Sequence, residues 1–368
     1  MRHKTHSNLL FLPFEISGFK TNQRSSTKYL IQKFINLPIF LFLFTLTCVN
    51  LFYCDGVLEV TQTLQSMCSY GHVLLRKILL FSNTSKLEDL HSCGTFFWKY
   101  DLFGKKLGHK FRRKMTVARS ICFSFSIMAT VVAVLFAVSP FVYQDQDLPQ
   151  PCWVPKPELL PFIHVLQVFY VLELGVLDCF LDFTFIITCV ELEIQFSLLQ
   201  TALCKVEIET MREEVCFNIL KKCSTQHVLL MTVHKKLQST FSFFFLITYL
   251  LSVEGIFVQL FLIHEVKVTW GQFLLAILYI VSVVSQCSSV FLVASNLEAE
   301  IENLVCSIYG IDWYNTNDKK ILTFVIFMIM NAQKSLYITG MGLFRVNRTV
   351  LLQILRTGFS ISTLLQQK

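Results

Sequence analysis

The side chains best equipped for chemistry in this sequence stand inside apolar stretches. Glu173, Asp178 and Asp182 interrupt the run Leu159–Val190, with Asp178 and Asp182 one turn apart on a single helix face and Glu173 about a turn above them. Ionisable groups in such runs are costly and often functional. These three suit a polar seam facing a bundle interior, or a membrane transporter or proton relay. They equally suit a wet helix half whose carboxylates pair with Arg119 or Arg356. A second set lies at the C-terminus, where Thr357, Ser360, Leu364 and then Gln367 or Lys368 recur at three- and four-residue spacing and form one helical stripe. By spacing alone, such small hydroxyls suit helix–helix packing in lipid. No enzyme constellation accompanies either set: the sequence holds no HExxH, Gly-x-Ser-x-Gly or P-loop, and no paired carboxylates in an extramembrane domain. His91-Ser92-Cys93 is too short for a metal site and nothing nearby completes it. No cofactor is expected.

The elements that must position these residues follow from composition. With 54% hydrophobic and 15% charged residues, this is a polytopic α-helical membrane chain, because backbone hydrogen bonds must close internally in lipid. Short alternating strands of a β-barrel are missing. The expected spans are 37–54, 57–81, 115–142, 159–190, 237–263 and 270–296, followed by a last one at 343–368. Span two is weak, holding Glu59, Gln62, Gln65 and His72, and span five carries Glu254. The run Ile321–Met330 is too short to cross a bilayer, which takes about 20 residues. Residues 297–342 are therefore expected to form a cytoplasmic anchor region with a short helix, then a turn at Gly340 and Gly342. Residues 1–36 form an N-terminal segment without a cleavage-like site. The 13 cysteines lack CxxC spacing and read as buried small hydrophobes; only Cys54 and Cys152 fall near outer loops, and whether they bridge is left open.

Loop charge sets orientation. Lys and Arg crowd the N-terminal segment, the stretch from Lys86 to Lys114 and the stretch from Lys205 to Lys236, while the alternate loops hold little beyond Lys156 and Lys267. The N-terminus is expected inside and the C-terminus outside. The net charge of +7 is thus a topology signal, and no nucleic-acid partner is expected. On this orientation the sequons at Asn83 and Asn347 face the cytoplasm. Helical periodicity continues past span four through Glu191–Phe196, and Val228–Gln238 leads into span five. Helices overrunning the membrane on one side are expected to cluster there with a short helix at 319–333.

Seven spans with the N-terminus inside invert the topology of a G-protein-coupled receptor. The C-terminal region holds Tyr309 with Trp313-Tyr314, then Gln333-Lys334-Ser335-Leu336-Tyr337-Ile338-Thr339-Gly340, Gly342-Leu343-Phe344 and the run Leu355 to Leu365. In these residues it resembles the insect odorant receptors of the seven-span chemoreceptor family. Cys152-Trp153-Val154-Pro155 and His234-Lys235-Lys236-Leu237 extend the resemblance upstream. Ile361 and Ser362 replace aromatics of the family's ending. The sister gustatory receptors favour Thr-Tyr and Gln-Phe at this end, where only Gln367 fits, and the shared co-receptor's long insertion between spans four and five is missing.

The resemblance implies a ligand-tuned subunit of a ligand-gated, non-selective cation channel in the plasma membrane of a sensory neuron dendrite. It also implies a tetramer whose pore is formed by the last helix of each subunit. Thr357, Ser360, Leu364, Gln367 and Lys368 would then line the pore, with Leu364 as a hydrophobic gate opened by wetting. Four copies of Lys368 at the mouth would repel cations, which favours a heterotetramer with a co-receptor, unless Lys368 points into bulk water. Trp313, Tyr314, Gln333, Lys334 and Tyr337 would anchor subunit contacts. The odorant pocket is expected between the outer halves of spans two, three, four and six, with Gln65, Leu135, His164, Val168, Gln272, Phe273 and Tyr279 as candidates. A gustatory receptor or a transporter using Glu173, Asp178 and Asp182 are the other readings.

Overall fold

The computed structural model describes residues 32–142, 147–208, 211–265, 270–334 and 336–366; a few side chains inside helices, among them those of Asp178, Gln272 and Leu364, lie outside the described set. A helix occupies each of the seven expected segments. α1 is Leu37–Asn50, α2 Val57–Cys93, α3 Lys105–Val142, α4 Leu160–Leu203, α5 Glu213–Glu265 and α6 Trp270–Tyr309. The short amphipathic α7, Lys319–Ala332, precedes a two-stranded hairpin, and α8, Arg348–Gln366, follows it. Among the described residues, four helical segments are long and apolar enough to cross a membrane: Phe34–Tyr53, Lys105–Phe141, Glu213–Ile263 and Phe273–Tyr309. α2, α4 and α8 fall outside that set: α2 and α8 carry buried or flanking cations such as Arg76, Lys77, Arg348 and Arg356, and α4 has several side chains outside the described residues.

The long helices outrun any bilayer. α4 has 44 residues and α5 has 53, about 66 and 80 Å at ~1.5 Å per residue, against a hydrocarbon core of about 30 Å. Their extensions cluster with the end of α6 and with α7, as the periodicity predicts: Leu192, Phe196, Leu220, Leu230, Leu297, Leu304, Ile321 and Val325 are all buried in one continuous core. The chain between α2 and α3 docks on this cluster. Gln195 clamps the Trp98 backbone, accepting from its N–H at 2.9 Å and donating to its C=O at 3.0 Å, and the Tyr100 hydroxyl donates to Glu191. A smaller core at the other end joins Phe40, Leu43, Tyr70, Ile163 and Tyr170 of α1, α2 and α4.

The turn after α7 is a built element. β1, Thr339–Gly340, pairs antiparallel with β2, Phe344–Arg345. Met341 and Gly342 take positive φ values of 51° and 74°, and the Leu343 N–H donates to the Gly340 carbonyl at 2.9 Å, closing a tight hairpin turn. α8 therefore starts later than 343, at Arg348, after Asn347 caps it by accepting from the Val350 N–H at 3.2 Å. α5 holds the hairpin through Gln238, which accepts from the Thr339 N–H at 2.8 Å and donates to the Thr339 side chain. No bridge joins Cys54 and Cys152: the first contacts Asn50 and Thr63, and the second accepts from Gln167 at 3.2 Å.

Candidate functional site: a cavity beside the last helix

α2, α3, α5 and α6 enclose a cavity of about 130 Å³. α2 contributes Gln65, Cys68, Ser69 and His72, a stripe at helical spacing. α3 supplies an apolar wall of Phe125, Ala129, Val132, Ala133 and Phe136. α6 adds Tyr279, Ser282, Val283 and Gln286 with the same periodicity, and α5 adds Thr248, Leu251, Ser252 and Glu254. Among the described residues α4 contributes Val171, and Gln150, from the segment after α3, closes one end. Gln150 is fixed there by Gln167, whose amide exchanges two hydrogen bonds with the Gln150 backbone at 3.0 and 2.9 Å.

A buried ion pair adjoins the cavity. Arg76 and Asp182 approach to 3.6 Å with each side chain 1% exposed, and Gln286, a lining residue, donates to the same carboxylate. Arg76 also donates to Thr248 at 3.4 Å and lies over the Phe244 ring at 4.6 Å. Nearby, Lys77 donates to Glu173 at 2.8 Å and covers Phe40. Glu173 and Asp182 of α4 thus pair with cations of α2. Among the described residues these pairs take the place of the ones expected with Arg119 or Arg356, and Arg356 is exposed. Both cations lie in the span whose polarity made it the weakest in sequence. A carboxylate locked against a buried guanidinium is a strut, because removing either partner strands a charge in low dielectric. Asp178 shares the helix, but its side chain is outside the described residues.

Of the residues expected to form the pocket, the structure brings Gln65 and Tyr279 together. Leu135 faces away, in a shallow cleft on the outward side of α3 with Ile127 and Val131. His164 packs edge-on against Phe141 at 5.3 Å, Phe273 lies against Trp270 at 6.1 Å, and Val168 is half-buried on α4; none of the three lines the cavity. The Gln272 side chain is outside the described residues. Sequence reasoning missed the contribution of α5, and with it the place of Glu254 in the lining. The signal available was the polar spacing Gln65, Ser69, His72 within a span.

α8 lies along α5 and α6. Val350, Ile354 and Gly358 form its buried face, while Leu352, Gln353, Phe359 and Ser360 are exposed and Thr357 is half-buried. Gly358 meets Ile256 and the Val253 carbonyl of α5. One turn of α5 therefore touches the cavity through Leu251, Ser252 and Glu254 and touches α8 through Val253 and Ile256. Leu364 stands in the last turn of α8 with its side chain outside the described residues; Gln367 and Lys368 lie beyond them. In the anchor region, Trp313 is half-buried, Tyr314, Gln333 and Lys334 are exposed, and Tyr337 stacks under Arg345 at 4.1 Å. Among the described residues, no group of three or more His, Cys, Asp or Glu side chains could hold a metal ion.

A family profile described as 7tm Odorant receptor matches residues 56–359. The chain belongs to this odorant receptor family. The fold agrees. The chain is similar to the insect olfactory receptor OR5 from Machilis hrabei, with a TM-score of 0.86 and 15% identity over 99% of this chain and 98% of that one. The same receptor in complex with eugenol matches with a TM-score of 0.85 at 14% identity, over 99% and 98%. No curated protein matches. This odorant receptor is accordingly a transmembrane receptor and not an enzyme, as its sequence implies, and identities this low speak to its fold alone.

Proposed function

We propose that this odorant receptor is the ligand-tuned subunit of a ligand-gated, non-selective cation channel. In this reading it binds a small volatile in the α2–α3–α5–α6 cavity and lines part of an ion path with α8. The carrying observation is that a single turn of α5 contacts both the cavity and α8. A ligand opens a channel only through its differential affinity for two states, and this turn is where a cavity occupant and the last helix meet the same backbone. Support also comes from the eugenol complex of a receptor sharing the fold. The half-polar free face of α8, with Ser360 and Gln353 exposed, suits a water-filled path better than lipid. Seven crossings with the N-terminus cytoplasmic and the C-terminus outside follow from the loop charges. The exposed apolar residues Ile326, Phe327 and Met330 of α7, beside Tyr314, suit contacts with neighbouring subunits in a heterotetramer with a co-receptor at the plasma membrane of a sensory dendrite.

Expression in a heterologous cell, alone and with an odorant co-receptor, tests this reading under a panel of volatiles. Odorant-evoked cation currents that require both chains are expected. Currents from this chain alone would remove the obligate partner. Solute uptake without current would remove the channel.

A further inference from the structure

Glu254 is the one acidic side chain lining the cavity among the described residues. The Glu254 Oε1 is shielded from solvent and has no hydrogen-bond partner among the described residues. Arg76 and Lys77 of α2 pair with other carboxylates, Asp182 and Glu173. A ligand that brings a donor to this oxygen gains a hydrogen bond that a donor-free ligand cannot make. Facing it is the apolar wall of α3, with Phe125 and Phe136. Size is set by volume: an apolar cavity of about 150 Å³ holds benzene, and this one measures about 130 Å³.

We propose that the cavity selects molecules of about the size of a benzene ring that carry one O–H or N–H donor, with Glu254 accepting the donor and α3 covering the ring. This rests on the receptor reading above and adds the ligand class. A purely apolar volatile of equal size would leave Oε1 without a partner, so discrimination comes from the acceptor, which a hydrophobic pocket alone supplies poorly.

Binding to the purified full chain tests the proposal without relying on current. The probes are toluene, phenol and aniline, which differ by one heavy atom's identity, and benzylamine, which separates a charged donor from a neutral one. Competition by ligand-observed NMR is expected to rank phenol and aniline about tenfold tighter than toluene, the effect of about one hydrogen bond. In Glu254→Leu that preference collapses while toluene binding stays within about twofold. Glu254→Gln keeps an acceptor oxygen and retains the preference for phenol. Equal affinities in the wild-type chain, no binding by any of the four, or a preference that survives in E254L would overturn the proposal. The wild-type series needs no variant to fold. Donor-selective binding without evoked current would overturn the channel reading and leave this inference standing. Currents evoked only by larger or donor-free volatiles would do the reverse.

Discussion

Gly358 of α8 sits so close to Ile256 of α5 that a β-carbon at position 358 would come within 2.9 Å of the isoleucine Cγ2. The last helix is therefore seated on the same turn of α5 that carries Glu254 into the cavity. Gly358→Val must push α8 away or turn Ile256 out of its rotamer, at a cost of about 1–3 kcal/mol. The expected result is a shift of about tenfold or more in the concentration for half-maximal current, with ligand affinity of the purified chain little changed. Ile256→Ala in the same chain should recover most of the loss, and patch-clamp dose–response curves for both variants check this. Independent, additive effects would mean that the two side chains do not share the contact.

The pair Arg76–Asp182 carries a different expectation. Both side chains are 1% exposed, so Asp182→Leu alone strands a guanidinium and should cost about 3–5 kcal/mol. Replacing both, Arg76→Met with Asp182→Leu, should restore much of the stability, since a buried pair and an apolar pair of similar volume are often close in free energy. Thermal unfolding of the detergent-solubilised chain, followed by size-exclusion, reads the two variants. A double variant no more stable than the single one would contradict the pairing.

Two buried histidines on α5, ahead of the expected span 237–263, give the helical cluster a pH dependence. Burial lowers His227 and His234 from an ordinary 6.5 to about 4. Below pH 6.5 the unfolded chain takes up protons that the folded chain refuses, so stability is full above that value. It falls as the pH drops towards about 4, where it levels off. At about 1.4 kcal/mol per pH unit the loss is on the order of 3 kcal/mol for each histidine. Melting temperatures measured between pH 7.5 and about 4.5 should decline, and H227Q with H234Q should flatten the decline. An unaltered slope in the double variant would assign the dependence to other groups.

Much of this architecture was readable from residue order alone. Phenylalanine- and leucine-rich runs such as Leu37–Asn50 need only their own hydropathy to declare a span, and Glu191–Phe196 showed in its periodicity that α4 continues beyond one. α2 was faint because Arg76 and Lys77 depress its hydropathy, and their partners Asp182 and Glu173 lie about a hundred positions away. The hairpin at 339–345 was equally hidden, since Gln238 on α5 holds it in place. Within the cavity, Gln65 and Tyr279 were legible as polar or aromatic breaks in apolar helices, whereas Leu135 was not excluded. Periodicity ranks the faces of a helix but leaves its rotation against neighbours undetermined, and α3 turns Phe136 inward and Leu135 outward.

Everything functional depends on α8 bordering the path that ions take. Ser360 is exposed on its free face, which makes the S360C variant a direct probe when a charged methanethiosulfonate reagent is applied to ligand-opened channels, with the wild-type chain controlling for native thiols. Irreversible block, faster in the open state than in the closed one, is the predicted result. Full labelling of the introduced thiol with the evoked current unchanged would contradict the account.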